Sequence, residues 1–237
     1  HGKTNSFTMD LLRQLSEIIK EINENEELKG LVLTGSGRFF SSGFDLPMFL
    51  NFKDHNEVVE FFKEEEPILL DLFMCKKPVV SAINGHAAAG GLIFAMASDY
   101  RIVKNHPKIK IGMSEIKIGL PLSIAQAEIM RFGLDSDRLY RDVMFFGEMI
   151  DVTRARELGM VDEIVEEEAL LSRAKEIVSL WIDTPARPFI SLKYSMKKEA
   201  AQSIQKGLEE EDWRSPLKRF FEKSVRDTLE FVQSTMQ

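Results

Sequence analysis

Twice in the N-terminal half of the chain a short apolar run ends in a glycine-rich turn. The first pair is Gly30-Leu31-Val32-Leu33-Thr34 followed by Gly35-Ser36-Gly37-Arg38-Phe39-Phe40-Ser41-Ser42-Gly43-Phe44-Asp45. The second is Pro78-Val79-Val80-Ser81-Ala82-Ile83 followed by Asn84-Gly85-His86-Ala87-Ala88-Ala89-Gly90-Gly91. The apolar runs read as short buried strands. Glycine at their ends permits a positive φ or a close backbone approach. In the second turn the glycines open a small-residue helix, expected over Ala87 to Ser98. Its free N–H groups and positive dipole end then face outward, which suits a developing anion, phosphate or enolate oxygen. A dinucleotide site is a poor fit to the first turn: Gly35-Ser36-Gly37 lacks a third glycine at the right offset and opens no obvious helix.

The surrounding pattern places these turns in an α/β chain. Leu11, Leu12, Leu15, Ile18, Ile19 and Ile22 recur at helical spacing within Phe7 to Leu28. A second amphipathic helix is expected from His55 to Met74, kinked or split at Pro67. Asp99 to Val103 and Lys108 to Gly112 read as strands. Helix dominates from Ser123 onward, with one strand at Met160 to Val165. Pro188 to Gln237 reads as helical and charged, with an apolar stripe that includes Leu217, Phe220, Phe221, Leu229 and Phe231. Glu209-Glu210-Glu211-Asp212 is an acidic run expected on a solvated face.

Composition narrows the function classes. With 44% hydrophobic residues and 17 Phe, the chain has the apolar surface for a sizeable core. No run reaches the ~18 apolar residues of a membrane helix, so no membrane role is expected. A net charge of -7 argues against a nucleic-acid partner. Cys75 is the single cysteine, and no metal-ligand spacing exists, so no metal is expected and a reducing compartment is the default. A cytoplasmic location is therefore expected, with an organellar matrix left open. Ser234-Thr235-Met236-Gln237 is not a peroxisomal tripeptide.

Taken together, the segments Leu33 to Leu46, Lys77 to Gly91, Ser98 to Ile102, Phe146 to Glu148 and Ala155 to Asp162 resemble, in order and spacing, the crotonase (enoyl-CoA hydratase/isomerase) superfamily. The resemblance implies a spiral of repeated β-β-α units over residues 1–185. It implies a C-terminal helical trimerisation region over 186–237, hence a homotrimer or dimer of trimers. It also implies that about two strands precede Lys3, so that a chain beginning at His1 lacks its first hairpin.

The resemblance further implies an acyl-CoA substrate, with coenzyme A entering only as part of the thioester and no separate cofactor. Two backbone N–H groups hold the thioester oxygen as it becomes an enolate. By motif position these belong to Phe44 and Gly90. Ser42, Gly43, Asp45, Met48 and Gly91 then fall at the substrate, with Met48 and Phe49 expected to line an acyl tunnel, and Arg38 and Lys193 fall where basic residues meet CoA phosphates. Asp45 also reads as a loop brace, Arg38 as a surface arginine, and His86 as a structural turn residue. Hydratases of the family use two glutamates. Ile93 stands at the first position and Glu115 at the second, which is similar to the enoyl-CoA delta isomerase branch, where one carboxylate moves a proton from C2 to C4. On its own terms Glu115 also reads as an exposed carboxylate paired with Lys117. The segment Leu120-Pro121-Leu122-Ser123-Ile124-Ala125 replaces a glycine-rich stretch, altering the acyl wall. Two other expectations stay open: a hydratase or other crotonase-type reaction, and a catalytically silent acyl-CoA-binding protein.

Overall fold

The computed structural model describes residues 3–210 and 212–236. His1, Gly2, Gln237 and one member of the acidic run, Glu211, lie outside them. Among the described residues, eight strands form two four-stranded sheets: β1 (Leu31–Thr34), β2 (Phe39–Ser41), β3 (Val79–Ile83), β4 (His86–Ala88), β5 (Tyr100–Lys104), β6 (Ile111–Gly112), β7 (Met149–Ile150) and β8 (Glu163–Val165). The first sheet runs β1-β3-β5-β8 and the second β2-β4-β6-β7. The first six strands therefore alternate between the sheets, so the chain winds as a spiral with each turn laid on the last. Every neighbouring pair is parallel, for example Leu31 beside Val79 and Ala87 beside Ile111, except the antiparallel β6–β7 pair.

The helices between and after the strands are α1 (Met9–Glu24), α2 (Leu46–Asn51), α3 (His55–Phe73), α4 (Gly90–Ala97), α5 (Glu115–Ile118), α6 (Ile124–Gly133), α7 (Asp137–Phe146), α8 (Val152–Glu157), α9 (Leu170–Ile182), α10 (Phe189–Glu210) and α11 (Lys223–Met236). Each residue of β3 and of α4 is buried, as expected of elements that are apolar on all sides and lie in the core. Val80, Ala82 and Ile102 of the first sheet pack against Ala174, Ile177 and Val178 of α9 in a second, smaller cluster.

Three elements differ from the sequence expectation. The helix expected over 87–98 begins only at Gly90, because the Ala87 and Ala89 N–H groups donate to the carbonyls of Lys110 and Gly112 and draw 86–88 into β4. The loop after Thr34 likewise contains β2. Helix α3 runs unbroken through Pro67. The missing N–H would have met the Lys63 carbonyl, and both residues lie on the exposed face, where the freed acceptor is open to solvent.

The C-terminal stripe is divided. Leu217, Phe220 and Leu229 are buried within the chain, whereas Phe231 is 68% exposed. Helix α10 is held to the sheet by charge: Asp99 sits between the ammonium groups of Lys193 at 2.6 Å and Lys197 at 2.7 Å, all three side chains buried. Lys197 also donates to the carbonyls of Phe73 and Ala97, and burial lowers its pKa to about 8. Among the described residues, no helix is long and apolar enough to cross a membrane, and no group of three or more His, Cys, Asp or Glu side chains is placed to hold a metal ion.

Candidate active site

The two glycine-rich turns meet. A Cβ placed on Gly43 would fall 2.9 Å from the Gly90 nitrogen, and one on Gly90 would fall 3.3 Å from the Gly43 Cα. Only residues without side chains let the backbones approach this closely. One residue further, a Cβ on Gly91 would fall 2.3 Å from the Ser41 carbonyl oxygen.

Local backbone geometry frees one amide in each turn. Phe7 bridges Phe44 in parallel: its N–H donates to the Gly43 carbonyl at 2.8 Å, and its carbonyl accepts from Asp45 N–H at 3.0 Å. In an extended strand the amide between these two groups points the opposite way, so the Phe44 N–H faces away from Phe7. Gly90 is the first residue of α4, whose cap, Ala89, offers no side-chain bond. No hydrogen bond takes up either the Phe44 or the Gly90 N–H among the described residues. Each amide follows a residue with positive φ, Gly43 at 92° and Ala89 at 54°. That conformation is strained for alanine, at a cost of about 1–3 kcal/mol that the surrounding packing sustains.

Ser42, Phe44, Ala89 and Gly90 line a cavity of about 50 Å³. Glu115 lines it too, together with Ile118, Leu120 and Pro121. Phe49, Phe62 and Phe220 add aromatic walls. At ~30 Å³ per water molecule, this volume has room for one or two waters. The Phe44 ring occupies much of the rest, packing against Phe49, Phe61 and Phe62 at centroid separations of 5.5 to 6.3 Å. A wider cavity of about 390 Å³ between α1 and β1 carries no titratable side chain, so size alone does not locate the chemistry.

Glu115 is the one carboxyl among the cavity's lining residues. It opens α5, and its Oε2 accepts the Ser114 N–H at 2.9 Å. Burial raises its pKa from 4.5 to about 7, against the opposing pull of its own and the Ser114 backbone N–H groups. It makes no ion pair with Lys117, which closes the alternative of a salt-bridged surface carboxylate. Ile93 is 1% exposed in the core and does not line the cavity.

The remaining expected site residues divide. Asp45 caps α2 by accepting the Met48 N–H at 2.9 Å and also takes the Ser6 hydroxyl, so it braces the loop. Phe49 rather than Met48 reaches the cavity, and Met48 packs on the core. Arg38 lines a separate cavity. Lys193 is buried, its ammonium taken up by Asp99 and the Lys77 carbonyl, and it lines a third cavity; the structure does not bring it to the site. Cys75 is buried, with its thiol pKa pushed up by burial.

Gln126 lines the cavity and was missed. Its amide donates to Glu65 at 3.2 Å, and Glu66 next door accepts the Ala125 N–H at 2.8 Å. Both carboxyls are buried without a cation. Burial and the neighbouring Glu66 push the Glu65 pKa well up, and burial lifts Glu66 to about 7. In the sequence this pair reads as part of a charged helix face, and nothing in it signals burial.

Comparison with known proteins agrees with this architecture. A family model described as enoyl-CoA hydratase/isomerase matches residues 2–229. The mitochondrial enoyl-CoA delta isomerase 1 of Mus musculus is 26% identical over 205 residues, covering 85% of this chain and 70% of that protein. The human mitochondrial delta3-delta2-enoyl-CoA isomerase structure superposes with a TM-score of 0.90 at 22% identity, covering 100% of this chain and 91% of the other. An enoyl-CoA hydratase from Mycobacterium ulcerans gives 0.78 at 24% identity, over 93% of this chain and 92% of the other.

Proposed function

The chain belongs to the enoyl-CoA hydratase/isomerase family, and from that premise we propose that it moves the double bond of a 3-enoyl-CoA to the 2-position. The Phe44 and Gly90 N–H groups form an oxyanion hole for the thioester oxygen. Glu115 takes a proton from C2; the electron pair spreads over a dienolate whose oxygen the two amides hold. The same carboxyl returns the proton at C4, leaving the C2–C3 double bond. Each aligned donor of this kind is worth about 3 kcal/mol of barrier.

The observation that carries the reading is that one carboxyl residue and two residues with free amides line the same largely apolar cavity. A pKa of about 7 suits a group that must both accept and release a proton at neutral pH. Hydration by two carboxylates is disfavoured because Ile93 is buried and apolar. As part of the proposal, the assembly is a homotrimer or dimer of trimers, which would cover the exposed Leu192, Tyr194 and Met196 of α10.

The test follows a 3-enoyl-CoA and, separately, a 2-enoyl-CoA with purified protein and with Glu115→Gln. Conversion of the 3-enoyl substrate by the wild type alone supports the isomerase. Addition of water to the 2-enoyl substrate at a comparable rate establishes a hydratase instead, and binding without turnover a silent acyl-CoA binder.

A further inference from the structure

The apolar cavity that holds Glu115 also carries a polar side chain for which the proton transfer has no use. Gln126 of α6 lines it among Leu46, Phe49, Phe62, Leu120 and Phe220, and is 3% exposed. Both ends of its carboxamide are fixed. Nε2 donates to Glu65 Oε1 at 3.2 Å, and Oε1 accepts the Ser123 N–H at 3.2 Å. These two bonds decide which end of the amide is nitrogen and which is oxygen. A carboxamide has two N–H donors and two acceptor lone pairs, so one donor and one lone pair remain on Gln126.

The Ser123 contact belongs to the capping box of α6 and accounts for a glutamine at this position. It does not account for the acid behind it. Glu65 is fully buried, and its Oε2 has no hydrogen-bond partner among the described residues. An acid held in the core with one oxygen unpaired costs stability, and apolar side chains at both positions would avoid that cost. What Glu65 provides in return is a Gln126 amide held in one orientation at the cavity wall.

We propose that Gln126, with Glu65 as its positioning residue, makes this cavity selective for an acyl group that bears a neutral hydroxyl. The inference rests on the acyl-CoA reading given above and names the class of acyl group. A hydroxyl both donates and accepts, matching the one lone pair and one N–H left on Gln126. An ammonium can use only the lone pair. A carboxylate can use only the N–H, and it would share the site with Glu115 and with Glu65 next to Gln126. A plain alkyl chain leaves both groups unpaired, which is how a site built for a hydroxyl rejects the analogue that lacks it.

Calorimetric titration of the full chain with saturated acyl-CoAs tests this without turnover. The ligands are ω-hydroxyacyl-CoAs of four, six and eight carbons, each beside its plain and its ω-amino counterpart. At one length or more the hydroxyl ligand is expected to bind at least about tenfold tighter than both counterparts. The variant Gln126→Leu/Glu65→Leu removes both partners together, so neither is left unpaired, and it is expected to lose the preference. A wild type that favours the plain or amino ligand at every length, or binds none of them, overturns the proposal. So does a variant that keeps the hydroxyl preference. A hydroxyl preference in a protein that converts no 3-enoyl-CoA supports the inference and overturns the isomerase reading alone.

Discussion

Replacing Glu115 by glutamine removes a charge and leaves the shape, so its effect on stability is set by protonation. In the folded protein the carboxyl titrates at about 7, whereas the unfolded chain holds it near 4.5. Below pH 4.5 both states are protonated, and Glu115→Gln is nearly isosteric with the wild type. Between pH 4.5 and 7 the unfolded state releases its proton first, so the wild type loses stability as pH rises while the variant loses nothing at this position. At about 1.4 kcal/mol per decade the ceiling is about 3 kcal/mol. Residue 115 is partly accessible, which brings the expected span to about 2–3 kcal/mol. Glu66 titrates in the same window in both proteins and cancels in the difference. Urea unfolding of the two proteins at pH 4.5, 6 and 8 measures it: the variant is expected to match the wild type at the lowest pH and exceed it at the highest. A difference that stays flat, or that grows toward low pH, refutes the assignment of a buried, proton-holding carboxyl. With a 3-enoyl-CoA the same variant should lose about 10²- to 10⁴-fold in kcat.

Gly43→Ala meets both a φ of 92° and a nitrogen 2.9 Å from the new methyl group. It should cost about 1–3 kcal/mol in thermal unfolding and displace the Gly90 amide, lowering kcat. Glu66→Gln should raise the melting temperature at pH 8 and leave it nearly unchanged at pH 4.5, because this carboxyl is also lifted to about 7 by burial. Asp99→Asn leaves Lys193 and Lys197 buried without a counter-charge, and denaturant unfolding should show a loss of about 3–5 kcal/mol.

Much of this was legible from short segments. The family resemblance, carried largely by the paired glycine turns, pointed to Phe44, Gly90 and Glu115; on its own terms Glu115 read as a surface carboxylate beside Lys117. What sequence could not supply was any property set by distant neighbours. β2 and β4 have three residues each, too few for a period to register, and exist because adjacent turns of the spiral offer them partners. Gln126 and Phe220 reach the cavity from separate later elements. Lys193 has the composition of a surface contact on an amphipathic helix, and only packing shows that Asp99 has claimed it. Arg38 lies just before β2, in a cavity apart from the two amides.

The alternation of strands between sheets has a consequence for how the site tolerates change. The two amides leave the ends of β2 and β4, which are hydrogen-bonded neighbours. The strands they follow are spaced by the interstrand repeat of about 4.8 Å, and beyond the strand ends the close contact of Gly43 with Gly90 holds the two turns together. The walls that face a substrate come instead from α2, α3, α5, α6 and the C-terminal segment, which owe nothing to that repeat. Such a molecule can be re-shaped for a longer, shorter or branched acyl group while the gauge between its donors stays constant.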